Sequence, residues 1–390
     1  QQSSEAIVVG GGPAGLAAAC LLAKAGVGCA VITGDEQAKA DPRTVALMVP
    51  ALGILSDLGL WPETLIDISA PLRKLRLVDD TGSLIAAPEI VFEARELDLD
   101  AFGWNIPLTA LIAALRDRAS EFGATVIREN AIRTTAQSTH VEIATASDTY
   151  PAPIAIAADG RTSLLREAAH IPTRNWSYDQ TAIATSFAHS APHGGVSTEY
   201  HRPGGPFTTV PLPGNRSSLV WMDRPEAVAR FMALSDRDIA AEIQLATHSE
   251  LGRISDVGPR RSFPMSGLIA QSFARNRIML VGETAHVVPP IGAQGLNMSL
   301  RDGAAAARLV AEAQASASDP GAPDVLARYD RERRTDVLPR QSVIDTMNRS
   351  LLLGMLPLDA GRAVGLATLK SFAPLRHFVM RRGLGLEQTA

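Results

Sequence analysis

The sequence predicts an α/β protein with a Rossmann-like unit, an inserted mixed β-sheet and a helical C-terminal segment. Three observations lead there. A short apolar strand, Ala6 to Val9, runs straight into Gly10-Gly11-Gly12-Pro13-Ala14-Gly15 and then an alanine- and leucine-rich helical run. A second such strand, Ile278 to Val281, opens a long loop-and-helix unit late in the chain. Between them, from Asn175 to Phe263, short alternating runs replace long helical periodicity.

Composition sets the outer limits. The chain has 390 residues, 46% hydrophobic and 20% charged, with a net charge of −4. Those values belong to a globular protein of two or three domains and argue against a general nucleic-acid binder. The charge is unevenly spread, since the residues from Arg328 onward are basic and the remainder acidic. The two cysteines, Cys20 and Cys29, match no metal or redox spacing and read as buried, inert thiols in a reducing compartment. No signal-peptide pattern precedes the first strand and no run is long enough to span a membrane. The first residue is Gln1 rather than Met, so the natural terminus is expected upstream.

The glycine pattern at the first strand is G-x-G-x-x-G in the context it requires, a strand before and a helix after. Gly10 permits a tight turn, Gly12 lets a pyrophosphate approach the backbone, and Gly15 lets helix and strand pack closely. Pro13 and Ala14 belong to the same loop, and the helical run Leu16 to Ala25 that follows offers free N–H groups and a partial positive charge that suit phosphates. These features predict a bound dinucleotide and do not separate FAD from NAD. The next strand, Cys29 to Ile32, should end in an acid for the adenosine ribose, but Thr33 stands there, with Asp35 and Glu36 just beyond. Loss of a charged hydrogen bond of about 1.5–3 kcal/mol would weaken binding roughly ten- to hundredfold.

Later elements follow in order. Leu52 to Leu60 reads as a helix, Leu72 to Val78 and Ser83 to Ile85 as strands about a turn, and Leu108 to Phe122 as an amphipathic helix. Pro153 to Ala158 is a strand ending in Asp159-Gly160-Arg161-Thr162-Ser163, which reads as a helix N-cap or as a ligand-binding strand end. Phe207 to Val210 and Ser217 to Met222 are strands of the inserted sheet, where His189, Tyr200, His201 and Trp221 are candidate lining residues. The stretch from Arg277 to Gly303 carries the most chemistry. Gly282 and Glu283 stand at a strand's carboxyl end, Pro289 and Pro290 stiffen a loop, and Gly292, Ala293 and Gly295 allow close approach. The helix that follows offers free N–H groups at Gly295, Leu296 and Asn297. Pro320 to Pro323 reads as a linker and Tyr329 as the start of the C-terminal helices. Those helices carry apolar patches at Leu351 to Leu356 and Phe378 to Met380, and the cations Arg362, Lys370, Arg376, Arg381 and Arg382.

Taken together, Gly10 to Gly15, Asp159-Gly160 and Gly282-Glu283-Thr284-Ala285-His286 with Pro289-Pro290 and Gly292 to Asn297 closely resemble the single-component FAD aromatic hydroxylases of the para-hydroxybenzoate hydroxylase type. Arg43-Thr44-Val45-Ala46-Leu47, Ala101 to Pro107 and the Arg-rich C-terminal helix look like the UbiH/UbiF/VisC branch, which hydroxylates polyprenylated phenols on the way to ubiquinone. The resemblance implies a Rossmann-like FAD-binding domain formed by residues 1–70, 101–172 and 266–320. It implies a substrate domain of residues 71–100 and 173–265 and a helical segment of residues 321–390.

The resemblance also implies that Arg43 touches the flavin side of the cofactor, and that Asp159 and Gly160 serve FAD and transient NADPH contacts. Glu283, one methylene longer than the family's Asp, would hold the ribityl chain. Gly292, Gly295, Leu296 and Asn297 would receive the pyrimidine end of the flavin, and Pro290 would wall the substrate. NAD(P)H and O2 are the implied co-substrates, and a flavin C4a-hydroperoxide would deliver oxygen to the phenol ring. No metal is implied, and no general base is identified. The expected location is cytoplasmic, peripheral to the inner membrane, with lipid or biosynthetic-complex contact through the C-terminal segment. Two other readings are a flavin enzyme acting on a soluble aromatic (Trp104 faintly resembles a halogenase motif) and a non-catalytic flavoprotein scaffold.

Overall fold

The computed structural model describes residues 4–34, 41–83, 87–353 and 356–386. Asp35, Glu36, Leu84 and Ile85 lie outside the described residues, as do the side chains of Leu351 to Leu356 and Arg362.

A six-stranded sheet forms the first layer. Its parallel strands are β1 (Ala6–Val9), β2 (Cys29–Ile32), Thr125–Ile127, β6 (Ala155–Ala157) and β12 (Ile278–Leu280), in the spatial order β12-β6-β1-β2-Thr125–Ile127. Ala274–Arg275 closes the β12 edge antiparallel. β1, β2, β6 and β12 are uniformly buried, as expected of parallel strands covered on both faces. Helix α1 (Pro13–Lys24) packs on this sheet beside α3 (Leu108–Glu121) and α7 (Gln294–Ala315). Gly303 of α7 lies against α1, where an added Cβ would come 3.1 Å from the Ala14 carbonyl oxygen. Both cysteines are buried and unpaired, and burial pushes each thiol up to about 12.

The second large sheet has nine strands. Along its path run His286–Val287, β11 (Arg261–Ala270), β7 (Thr173–His189), β10 (Arg216–Asp223), β9 (Gly205–Leu212), β8 (Val196–Arg202), β4 (Lys74–Asp79) and Ile90–Glu93, while Ile254–Ser255 pairs on β7. The partner of β4 is therefore Ile90–Glu93, further along than the expected Ser83 to Ile85. One face buries Ile183, Phe187, Tyr200, Phe207 and Leu219 beneath α5 (Pro225–Met232) and α6 (Asp236–Ala246).

The opposite face turns toward the first unit. Ser218 on this face bonds Thr44 of β3 (Thr44–Met48) at 2.9 Å and Asn105 of β5 (Gly103–Pro107) at 3.2 Å. Ala182, Met222 and Met265 on the same face pack with Ile291, beside Pro290, and with Ile344. α2 runs from Val49 to Asp57, earlier than the apolar spacing suggested, because Pro50 is favoured in a first turn. α4 (Leu164–Ala168) follows the Asp159 loop.

The C-terminal helices begin earlier than expected: α8 spans Pro323–Leu353, with Tyr329 already inside it. Pro323 at its start has no N–H to lose, so the run read as a linker merges into the helix. α9 (Leu356–Ser371) and α10 (Ala373–Leu384) follow. No helix among the described residues is long and apolar enough to cross a membrane.

Candidate flavin and substrate site

The glycines at the end of β1 divide into two kinds. Gly10 has φ +131°, and an added Cβ would lie 2.1 Å from the Ala158 carbonyl oxygen. A Cβ on Gly15 would lie 2.3 Å from the Gly10 carbonyl oxygen. Both are needed by the protein itself. Gly12 is different: a Cβ there would meet nothing within 4 Å. The space before α1 is therefore open at Gly12, where the helix presents its first N–H groups and Pro13 occupies the first turn. Open space before a helix N-terminus suits a pyrophosphate.

Thr33 closes β2. Its hydroxyl donates to the backbone oxygens of Gly34 and Ile127 at 3.2 and 3.4 Å. The position is occupied by a local backbone contact.

Arg161 and Glu283 join the other two motifs. The Arg161 guanidinium donates to the Glu283 carboxylate at 2.9 Å and to the Ser266 hydroxyl at 3.1 Å. The motifs single out Glu283 but not Arg161, since nothing in either stretch pairs residues 161 and 283. Asp159, two residues before Arg161, accepts from the Ser163 hydroxyl at 2.6 Å. Ser163 in turn caps α4 through the Arg166 N–H. Burial raises the Asp159 carboxyl, and these bonds offset it in part. Asp159 thus serves the helix start, and Gly160, at φ +86° with open space around it, gives the loop its turn.

Arg43 is bound by Asp41 through contacts of 2.6 to 3.0 Å and lies over the Phe263 ring, 5.2 Å from its centre. Burial alone would raise the Asp41 carboxyl, but the Arg43 hydrogen bonds outweigh it and hold it below the usual range.

At the start of α7, Ala293 adopts a left-handed conformation with φ 54°, and a Cβ on Gly292 would meet open space. Gly295 and Leu296 are half-buried in the first helical turn. Asn297 is buried, and its side chain is spent within the protein. It accepts from the Met48 N–H at 2.9 Å and donates to the carbonyls of Ala46 and Ala293 at 2.9 and 2.6 Å. Asn297 therefore clamps β3 to the loop that precedes α7. Pro290 is exposed, while Ile291 beside it is buried in the apolar cluster of the large sheet.

Beneath this loop lies a buried charge network that no single motif revealed. Gly282, at φ +67°, donates its N–H to Asp302 at 3.0 Å. His286 bonds the same carboxylate at 2.6 Å, and Arg333 of α8 bonds it at 2.7 Å. Arg333 also reaches Asp336 at 2.7 Å, which Arg301 and Arg340 bond at 2.9 and 2.8 Å. Burial alone would raise Asp302, but His286 and Arg333 outweigh it and hold the carboxyl down. Arg301 and Arg333 hold Asp336 down in the same way against its burial. The network fixes the turn that presents Glu283.

The family described as FAD binding domain matches residues 3–338. The chain belongs to that family. It is 34% identical over 391 residues to the ubiquinone hydroxylase UbiL of Rhodospirillum rubrum, covering 98% of this chain and 90% of the relative. It is 27% identical to the 3-demethoxyubiquinol 3-hydroxylase of Escherichia coli, covering 99% of each. Among solved structures, p-nitrophenol 4-monooxygenase of Pseudomonas putida shares the fold with a TM-score of 0.79 at 19% identity, covering 98% of each chain. The family member described here is an FAD-dependent monooxygenase of the aromatic hydroxylase class. The open cradle at Gly12, the Arg161–Glu283 pair and the space before α7 suit FAD.

Proposed function

We propose that this monooxygenase hydroxylates a polyprenylated phenol in ubiquinone biosynthesis, with NAD(P)H as reductant. The observation that carries the reading is the apolar wall beside Pro290. Ile291, Ala182, Met222, Met265 and Ile344 form one buried cluster with Tyr178, on the sheet face turned toward the FAD motifs. Such a wall suits a lipophilic ring and excludes water from it. The substrate class agrees with the names carried by the UbiL and Escherichia coli relatives. Residues 71–100 and 173–265 are the proposed substrate domain.

Bound FAD supplies the redox chemistry, taking a hydride from NAD(P)H and activating dioxygen. The chain's own residues do the rest of the work. Gly12 and the start of α1 would receive the pyrophosphate, Glu283 held by Arg161 would hold the ribityl chain, and Pro290 with Ile291 would position the ring. The test is anaerobic addition of NADPH with and without a short-tailed polyprenylphenol, followed at the flavin absorbance. Faster bleaching with the phenol, and a hydroxylated product once air is admitted, are expected. Equal rates and no product would refute the proposal.

The C-terminal segment is proposed to meet anionic lipid. Val364, Phe372, Phe378 and Val379 are exposed together with Lys370, Arg381 and Arg382. Apolar groups among cations suit a negatively charged membrane surface. Arg376 does not join them, because it pairs with Glu96 at 2.6 Å, and Met380 packs inward with Met48, Leu97 and Phe102. Sedimentation with vesicles containing anionic lipid is expected, weakening when Phe372, Phe378, Arg381 and Arg382 are replaced by serine. Equal sedimentation of the altered chain would exclude this surface.

A further inference from the structure

The sheet face turned toward Pro290 holds an acid–imidazole pair that the FAD motifs leave unused. Glu199 and His201 flank Tyr200 on β8. Tyr200 packs into the core beneath α5 and α6, so alternation sends its two neighbours to the opposite face. There His201 Nε2 lies 2.8 Å from the Glu199 carboxylate, and His201 is only 4% exposed. With Nε2–H donating to the carboxylate, Nδ1 is the free acceptor. That atom is buried and has no hydrogen-bond partner among the described residues. Buried polar atoms are rarely left so, and an unmet acceptor is open to a proton donor. His189, on the other face, shows the contrast: Ala191 and Ser217 occupy both of its ring nitrogens, at 2.7 and 3.0 Å.

The register places His201 on the same sheet face as the apolar cluster. His201 lies opposite Pro206 on β9, and the neighbouring pair Phe207 and Trp221 sets Pro206 beside Met222 on β10. Met222 belongs to the Ile291 cluster. Two strand spacings, roughly 10 Å, thus separate His201 from Met222, with Pro206 on the strand between them. The end of α8 covers the same corner. Asn348 bonds Gln180 at 2.8 Å, Gln180 bonds the Gly204 carbonyl at 2.9 Å, and the Asn348 Oδ1 atom is a second buried group without a partner among the described residues. On β4 the residue in register with His201 is Asp79, whose carboxylate accepts from Thr81 and the Ala87 N–H.

We propose that His201 Nδ1 takes the hydroxyl proton of the aromatic substrate while Glu199 holds the imidazole. This rests on the hydroxylase reading above. The O–H bond breaks, an N–H bond forms, and the electron pair left on oxygen makes the ring carbon nucleophilic. That carbon then takes one atom of the dioxygen activated with bound FAD and NAD(P)H, the O–O bond breaking and the other atom leaving as water, and the carbon loses its hydrogen to solvent as a proton. The imidazolium then returns its proton to the substrate oxygen and the ring regains aromaticity.

A nitrophenol tests this by binding alone, since its ionised form is coloured. The FAD-loaded enzyme is expected to bind it as the coloured anion at a pH where the free compound is neutral. His201→Ala is expected to lower that anionic fraction at least tenfold, and Glu199→Gln, which keeps the ring, to lower it less, with flavin retention unchanged in both. In turnover of a neutral alkylphenol, His201→Ala is expected to lose roughly 10²–10⁴-fold. An anion signal in His201→Ala equal to that of the parent, or turnover within threefold, overturns the assignment and leaves the hydroxylase reading standing. Absence of hydroxylation and of nitrophenol binding by the parent enzyme overturns both.

Discussion

Asp302→Ala is expected to destabilise the folded protein by about 3 kcal/mol, the lower end of the range for breaking a buried ion pair. The lower end applies because Asp336 still faces Arg333 at 2.7 Å. His286 and the Gly282 N–H both lose their acceptor, so the turn that presents Glu283 loosens as well. Thermal melting should show a fall of at least roughly 4 °C, and a change under about 1 °C would show that the network is not stabilising. The pH dependence has a definite sign. The folded Asp302 carboxyl is held below its unfolded value, so its contribution is complete above about pH 4 and is lost as the pH falls through the lowered value. The Asp302→Ala protein should therefore lose less stability on acidification than the parent.

Gly15→Val and Gly12→Val are expected to fail differently. At Gly15 the new side chain meets the Gly10 carbonyl oxygen and the Ala158 Cβ, so α1 must move off the sheet. Both the melting temperature of the cofactor-free protein and FAD retention should drop. At Gly12 the new side chain meets open space within the protein. The cofactor-free melting temperature should stay within about 2 °C, while FAD affinity falls at least a hundredfold because the pyrophosphate can no longer approach the backbone. Retention of flavin by Gly12→Val would remove the cradle from the site.

These positions also show what was legible in the residues alone. β1, β2 and α1 follow from local pattern, because buried parallel strands are continuous apolar runs and the glycines punctuate them. The resemblance brought the FAD motifs into one site by their order along the chain. What local pattern could not supply is the direction of side chains in the inserted sheet. Tyr200, Trp221, His189 and His201 all looked suitable to line a pocket, yet only His201 points to the face shared with Pro290. Alternation places Tyr200 and His201 on opposite faces, but the pairing of distant strands decides which face is which. Contacts such as Arg161 with Glu283, or Asp302 with Arg333, join residues far apart in sequence and leave no periodic trace.

The C-terminal packing bears on where the folding unit ends. The family match stops at residue 338, but Met380 and Leu384 of α10 share a core with Met48, Leu97 and Phe102. Arg376 fastens the same helix to Glu96, and Gly383 accepts from Arg340 at 3.0 Å. The last helix is thus a strap returning across the face where β3 leads into α2. A protein shortened to the shared motif would expose that core and unlatch the segment that Asn297 clamps. FAD retention is therefore expected to fall when the chain is cut between α9 and α10, a coupling that flavin fluorescence after limited proteolysis would measure.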